Sequence, residues 1–188
     1  MRIISGNSKG KKILEPKDSA TRPLKDLTKE SIFNILIHSN KFNITLQNSN
    51  ILDLFSGVGS FGLECLSRGA RQVTFIENYK NVLQILKKNI TNLGFHESSL
   101  IIEKNIISDL IFGNIKKKFE VIFLDPPYKE KKLKSILDSI IEFNILNDDG
   151  IIIIHRHKKE EDEFPEKFTI IEEKTYGISR VIFGNSSK

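Results

Sequence analysis

A carboxylate, two prolines and a phenol stand in a row at Asp125-Pro126-Pro127-Tyr128, directly after the apolar run Val121-Ile122-Phe123-Leu124. Neither proline has a backbone N–H and both have a fixed φ, so the segment neither continues a ladder nor starts a helix at once. The result is a stiff turn at the end of a buried strand, opened by an acceptor and closed by an aromatic face. Such a turn suits a flat group with an exocyclic amine: acceptors take its N–H groups and the ring stacks on it. The same residues also make an ordinary strand-to-loop exit, since turns commonly use Asp and Pro.

A second constellation runs from Ile51 through Asp53, Phe55 and Ser56 into Gly57-Val58-Gly59-Ser60-Phe61-Gly62. Gly57, Gly59 and Gly62 satisfy G-x-G-x-x-G between a strand and a helix. Glycines there let the backbone approach a ligand at the helix N-terminus. Glu77 closes the next strand, in position to bond ribose hydroxyls, and together these features point to a nucleoside-type cofactor. Asp53 lies ahead of the first glycine, where a carboxylate repels pyrophosphate but suits the ammonium and sulfonium charges of S-adenosylmethionine. A second role is open to Asp53, capping the strand end by accepting backbone N–H groups. Asn105, after the third strand, is a candidate adenine-edge contact. Phe55, Ser56 and Asn78 complete the expected cofactor set, which shares Asp125 with the amine site.

The elements that must hold these loops follow from patterning. Residues 50–55, 72–76, 100–103, 120–124 and 150–154 read as strands, mostly short and continuously apolar, as strands covered on both faces are. Helical patterns fill 61–68, 79–93, 106–113 and 131–143. The alternation predicts right-handed βαβ crossovers and an open, mostly parallel sheet. Strands 1 and 4 are neighbours in such a sheet, and ligands sit beyond their carboxyl ends, which sets the glycine loop beside Asp125. Residues 168–175 and 178–183, joined by Tyr176-Gly177, add an antiparallel hairpin, for seven strands in all. Residues 2–4 and 11–14 suggest a small separate hairpin, followed by a helix over 25–38 and a polar connector over 39–49. The expected organisation is an appendage over 1–40 and a main domain over 50–184, with a disordered tail from Asn185.

The 188 residues suit one core, with 39% hydrophobic and 28% charged residues. One Cys, Cys65, excludes an intrachain disulfide and a Cys-based zinc site, and the four His show no metal spacing. Cys65 is expected in the core. No apolar run reaches the ~18 residues of a membrane span, and no signal peptide opens the chain, so a cytoplasmic protein without metal is expected. The net charge is +5, unevenly placed. Arg2, Lys9, Lys11 and Lys12 open the chain without an acid, and further clusters lie at Lys116–Lys118, Lys129–Lys134 and Arg156–Lys159. Their usual meaning is a solvated surface. One lies beside the Pro-Pro turn and another opens the chain, which raises a phosphate-backbone partner.

Across residues 1–184 the chain resembles the bacterial RsmD family, which methylates the exocyclic N2 of a guanine in 16S ribosomal RNA. The broad class is carried by the glycine loop and by Asp125-Pro126-Pro127-Tyr128, which is similar to the Asp/Asn-Pro-Pro-Tyr/Phe signature of amino-methyltransferases. The family itself is singled out by Met1-Arg2-Ile3-Ile4-Ser5-Gly6 with Lys9-Gly10-Lys11-Lys12, by Thr21-Arg22-Pro23 with Lys29-Glu30, and by Leu66-Ser67-Arg68-Gly69-Ala70. The chain departs from the family pattern at Leu27, where Arg is usual, at Asn78, where Asp follows the acidic residue, and at His155, where Glu is common.

The resemblance implies a Rossmann-like class I methyltransferase, a monomer by default, acting on 16S ribosomal RNA within or before the assembled small subunit. Asp125 and the Pro126 carbonyl would accept the amine's N–H groups, Pro127 would stiffen the turn, and Tyr128 would stack on the base. Arg2, Lys9, Lys11, Lys12, Arg22, Lys25 and Lys29 would hold the RNA backbone. Adenine-N6 or glutamine methylation could use the same tetrapeptide. A nicotinamide oxidoreductase leaves Asp53 and the Pro-Pro turn unexplained, and a non-catalytic RNA-binding module leaves the ligand loop unexplained.

Overall fold

A computed structural model describes residues 1–16, 24–106 and 112–186. Arg22 therefore lies outside the described residues, as does most of the helix expected over 106–113; its described end is a short 3₁₀ turn, Phe112–Asn114. The elements are α1 (Asp26–His38), β1 (Asn50–Leu54), α2 (Ser60–Ser67), β2 (Gln72–Glu77), α3 (Lys80–Leu93), β3 (Ser99–Glu103), β4 (Phe119–Leu124), α4 (Leu133–Glu142), β5 (Leu146–His157), β6 (Phe168–Tyr176) and β7 (Ser179–Ser186).

The seven strands form one sheet in the order β3-β2-β1-β4-β5-β7-β6. β1 pairs in parallel with both β2 and β4, β4 pairs in parallel with β5, and β7 runs antiparallel between β5 and β6. This is the Rossmann-like class I methyltransferase arrangement, with the order reversing at β1. Expected boundaries move at β5, which starts at Leu146 rather than at 150, and at the tail. β5 extends to His157, because its last residues pair with β7 from Ser179 to Val181. Of the tail expected to be disordered over 185–188, the first two residues instead continue β7, with Asn185 opposite Thr169 and Ser186 opposite Phe168; residues 187–188 lie outside the described residues.

Strand alternation divides the core between two faces. Ile51, Val73, Phe75, Val121, Phe123, Ile151 and Ile153 belong to one buried cluster with residues of α1, α2 and α3. Leu52, Leu54, Ile122, Leu124, Ile152 and Ile154 belong to the other, with Leu133, Ile136, Leu137 and Ile140 of α4. In α3 the expected stripe is seen, with Val82, Leu83, Leu86, Ile90 and Leu93 buried; the helix ends where Gly94 takes φ 76°.

The N-terminal segment packs onto the same core. Its hairpin is a single antiparallel bridge, Arg2 opposite Lys12, extended by backbone bonds between Ile3 and both Lys11 and Gly10. Ile3, Ile13, Leu24, Ile32 and Phe33 are buried in the α1–α3 face. Phe33 of α1 stacks on Phe61 of α2 at 5.1 Å, and Phe61 stacks on Phe123 of β4 at 4.1 Å. Each buried ring contributes about 1.5–3 kcal/mol of hydrophobic stabilisation, so this column fastens the appendage to the sheet beneath the glycine helix. Cys65 is buried in that helix, and burial pushes its thiol well above its usual range.

Candidate active site

The site lies where β1 and β4 end side by side. Their register, Leu54 opposite Leu124, brings the two loops together, and the Asp125 N–H donates to the Leu54 carbonyl at 3.3 Å. The last bond of the ladder is therefore made by the first residue of the Pro-Pro turn to the residue that enters the glycine loop.

The glycine loop turns at once: Phe55, Gly57 and Gly59 have φ of 57°, 55° and 86°. The three glycines have different reasons to be there. A side chain on Gly59 would meet Leu86 at 2.5 Å, and one on Gly62 would meet Phe75 at 2.4 Å, so both serve the close packing of α2. Over Gly57 a side chain would meet nothing within 4 Å. Open space over a left-handed glycine at a helix entrance is where a ligand can approach the backbone. Beside it the buried Ser56 hydroxyl has no partner among the described residues.

Glu77 faces this loop from the end of β2. One of its carboxylate oxygens accepts the Gly57 N–H at 2.8 Å; the other accepts the N–H groups of Asn78 and Tyr79 at 2.8 and 2.9 Å. The carboxylate thus holds the loop and the start of α3 together, while its remaining lone pairs suit hydroxyl donors. Asn78 is exposed and Asn105 half-buried beyond β3.

Asp53 is placed differently from the expectation of a ligand contact. It is 1% exposed, and its Oδ2 accepts the Gly62 N–H at 3.0 Å. The geometry is that of a backbone acceptor, as in the second role, but at the start of α2 rather than at the strand end. Desolvation pushes its carboxyl well above the usual carboxylate range, with Asp125 and Glu77 adding to the effect.

On the β4 side, Pro126 is buried, Pro127 exposed, and Asp125 and Tyr128 half-buried. Three consecutive residues at the end of β5 hold this turn. His155 Nδ1 lies 2.8 Å from Asp125 Oδ1. The fully buried Arg156 donates through its terminal nitrogens to the carbonyls of Pro127 and Glu130 at 3.2 and 3.1 Å, and through Nε to Asp162. His157 packs edge-on against Tyr128, centroids 5.0 Å apart at 71°. Arg156 was legible from sequence only as one more basic residue in a surface cluster. The signal that could have found it is position: one residue beyond the Leu124–Ile154 pair of parallel strands stand Asp125 and His155, with Arg156 next.

The basic residues separate into two groups. Arg2, Lys9, Lys11, Lys12 and Lys25 are exposed. Lys29, expected on the same surface, is fully buried. Its ammonium donates to the Arg2 carbonyl at 2.8 Å and to Ser60 Oγ at 3.3 Å, with the Glu64 carboxylate 3.8 Å away. It is a structural cation under the arm and cannot reach a phosphate. Glu64, part of the family match in the sequence but given no role there, is its counterpart in α2: it accepts the N–H groups of Ile4 and Ser5 at 2.7 and 2.9 Å and pairs with Arg68 at 2.8 Å. Asn89 of α3 completes the docking, bonding Leu14 through both backbone groups and donating to the Val58 carbonyl at 3.0 Å. The basic arm is thereby fixed to the helix that follows the glycine loop.

Among the described residues no cluster of His, Cys, Asp or Glu has the makings of a metal site, and no helix is long and apolar enough to cross a membrane.

Comparison with known proteins places this geometry in a family. Residues 1–185 match the model described as conserved hypothetical protein 95. The chain is 34% identical to a putative rRNA methyltransferase, YlbH, of Bacillus subtilis, covering 96% of both chains. It is also 34% identical to the ribosomal RNA small subunit methyltransferase D of Haemophilus influenzae, over 95% of this chain and 90% of that one. Among solved structures, a putative methyltransferase from Escherichia coli superposes with a TM-score of 0.81 at 26% identity, covering 100% of this chain and 98% of that one. Whole-length matches of this kind leave no part of the fold or of the two loops outside the relationship, and the chain belongs to the conserved hypothetical protein 95 family, the RsmD family.

Proposed function

We propose that this protein transfers a methyl group from S-adenosylmethionine to the exocyclic N2 amine of a guanine in 16S ribosomal RNA. One observation carries the proposal: the Asp125–Tyr128 turn is bonded, through the Asp125 N–H and the Leu54 carbonyl, directly to the entrance of a glycine loop with open space over Gly57. A turn suited to an amine and an open approach to the backbone thus lie at the same strand ends. The names of the relatives, rRNA and small-subunit methyltransferases, support rRNA as the substrate class.

The residues present fit the cofactor. The open backbone at Gly57, the Ser56 hydroxyl and the Glu77 carboxylate would hold its nucleoside half, with Phe55, Asn78 and Asn105 around the base and Gly59 shaping the turn. Asp53 would act indirectly, by fixing the start of α2 through Gly62. When bound, the cofactor supplies an electrophilic methyl on a positively charged sulfur.

The rest of the chemistry falls to this chain. Guanine N2 is a weak nucleophile because its lone pair is delocalised into the ring. Asp125 and the Pro126 carbonyl would accept its two N–H groups and draw the nitrogen towards a pyramidal shape with the lone pair exposed. The Pro127 carbonyl is already engaged by the Glu130 N–H and by Arg156, which leaves Pro126 for this role. Tyr128, held edge-on by His157, would stack on a base drawn out of its helix or loop. Alignment of the amine with the methyl group supplies most of the rate, since a good leaving group needs no strong base. The exposed Arg2, Lys9, Lys11, Lys12 and Lys25 would track the phosphate backbone.

The test is transfer of labelled methyl from S-adenosylmethionine to undermodified small subunits, free 16S RNA, DNA and protein, followed by digestion to nucleosides. N2-methylguanosine from RNA is the expected product. N6-methyladenosine or methylated glutamine would replace the substrate assignment, and near-normal transfer by Asp125→Ala with unaltered cofactor binding would remove Asp125 from the chemistry.

A further inference from the structure

We infer that His155 is a positioning residue for Asp125 and that it must be uncharged for the amine to react, a role that presupposes the amine methylation proposed above. His155 is 7% exposed. Its Nδ1 lies 2.8 Å from Asp125 Oδ1, and its buried Nε2 has no partner among the described residues. A carboxylate accepts, so the proton of a neutral ring belongs on Nδ1. The alternative tautomer would set two lone pairs against each other at Nδ1 and leave an unpaired N–H at Nε2, where burial without a partner is costly.

Two consequences follow for the carboxylate. With Oδ1 occupied, Asp125 presents Oδ2 to an incoming N–H, and its side chain is locked in one orientation. The register explains why the pair forms: Leu124 lies opposite Ile154 in parallel strands, so the next residues of each strand emerge side by side.

The requirement for a neutral ring comes from the charge movement of the reaction. As the N–CH3 bond forms and the S–CH3 bond breaks, the amine nitrogen hanging on Asp125 would gain the positive charge that the departing neutral thioether loses; its proton would then pass to the Asp125 carboxylate and on to water. An imidazolium on the other oxygen of the same carboxylate would cancel the negative charge that stabilises this arrival. The surrounding charges do not change the sign. On β5, Arg156 is balanced by Asp162, 2.8 Å away, which also takes Arg180 of β7 at 2.7 Å. His157 is turned to Tyr128. On β1, Asp53 is held towards its neutral form by burial. Glu130 and Glu160 flank the Arg156 side of the turn. Among the described residues, Asp125 is thus the anion bonded to the His155 ring.

The test compares wild type, His155→Gln and His155→Phe. In wild type, kcat should fall on acidification, as the ring gains its second proton. In H155Q, whose amide donates but does not titrate, that fall should disappear, and kcat at high pH should recover most of what H155F loses. H155F, with no donor, should lose up to about 100-fold in kcat at every pH, the scale of a small misplacement of a reacting group, with unchanged cofactor affinity by calorimetry. A second readout needs no activity: nitrogen NMR of the histidine-labelled, cofactor-free protein should show His155 protonated at Nδ1, and Asp125→Ala should shift that signal. An acid fall that persists in H155Q, a fully active H155F, or a ring protonated at Nε2 would each overturn the inference. Failure of the function proposal is distinct: no RNA would be methylated at guanine N2 by any form, while the NMR arm would still report the His155–Asp125 bond.

Discussion

The guanidinium of Arg156 on β5 donates to the carbonyl oxygen of Pro127 at 3.2 Å, so the middle of the Pro-Pro turn hangs on a side chain of the neighbouring strand. The same guanidinium holds Glu130 and Asp162, and only a planar fork reaches all three. Arg156→Lys should keep the charge and lose the fork: kcat should fall while cofactor affinity, which the proposal assigns to the ends of β1 and β2, stays within a factor of about two. Arg156→Ala leaves the 5% exposed Asp162 side chain with Arg180 alone and should cost about 3–5 kcal/mol of stability. Urea unfolding and calorimetric cofactor titration separate the two effects. A lysine variant with normal kcat would show that the turn is stiff enough without Arg156.

Much of this site was legible because its parts are strand ends. Continuous apolar runs announce parallel strands, glycines announce the turn into α2, and two prolines mark where β4 must stop, so Gly57, Glu77 and Asp125 could be placed from residue order alone. What was not legible depends on burial of charge. Lys29 and Arg156 look like members of basic surface clusters, and only packing shows that each is enclosed by carbonyls and carboxylates. Asp53 likewise had two roles until the distance from Gly62 selected one. The extent of β5 was hidden because His155-Arg156-His157 breaks the apolar run, although its backbone still pairs with β7.

Glu77 is both a latch and a candidate ligand contact. Its Oε2 holds the Gly57 N–H at 2.8 Å, and a carboxylate bond of this kind is worth about 1.5–3 kcal/mol. Glu77→Ala should therefore weaken S-adenosylmethionine binding by roughly 10- to 100-fold, with the fold intact by circular dichroism. Glu77→Gln keeps an acceptor for the Gly57 N–H but loses charge, and should fall between wild type and alanine. Equal cofactor affinity in all three proteins would place the nucleoside elsewhere.

Asp53 makes stability depend on pH in a stated direction. Burial raises its folded-state value well above the usual 3.8, so above that pH the unfolded chain releases a proton that the folded chain keeps. The folded state then binds more protons, and its stability falls as pH rises from about 4 until the folded carboxyl itself ionises. Asp53→Asn keeps an oxygen for the Gly62 N–H and has nothing to ionise. Its stability relative to wild type should therefore rise between about pH 4 and pH 7, read as the difference in urea midpoints. A difference that does not change with pH would mean that Asp53 ionises in the folded protein as freely as in water.

Lys29 and the arm lysines should respond oppositely to the same experiment. Lys9, Lys11 and Lys12 are exposed on a segment fixed to α2 by Glu64, so replacing them with Gln should weaken RNA binding and lower its salt slope by up to about 0.7–0.9 for each phosphate no longer neutralised. Unfolding should hardly change. Lys29 is buried against the Arg2 carbonyl, Ser60 and Glu64, and desolvation holds its ammonium below the usual lysine value against the pull of Glu64 and Asp26. Lys29→Met fills the same space without the bonds, leaving the Arg2 carbonyl without its ammonium donor at a cost of about 1–3 kcal/mol. It should therefore destabilise the protein while the folded variant keeps the wild-type salt slope. A reduced slope in the methionine variant, measured below its unfolding midpoint, would return Lys29 to the RNA surface and contradict its burial.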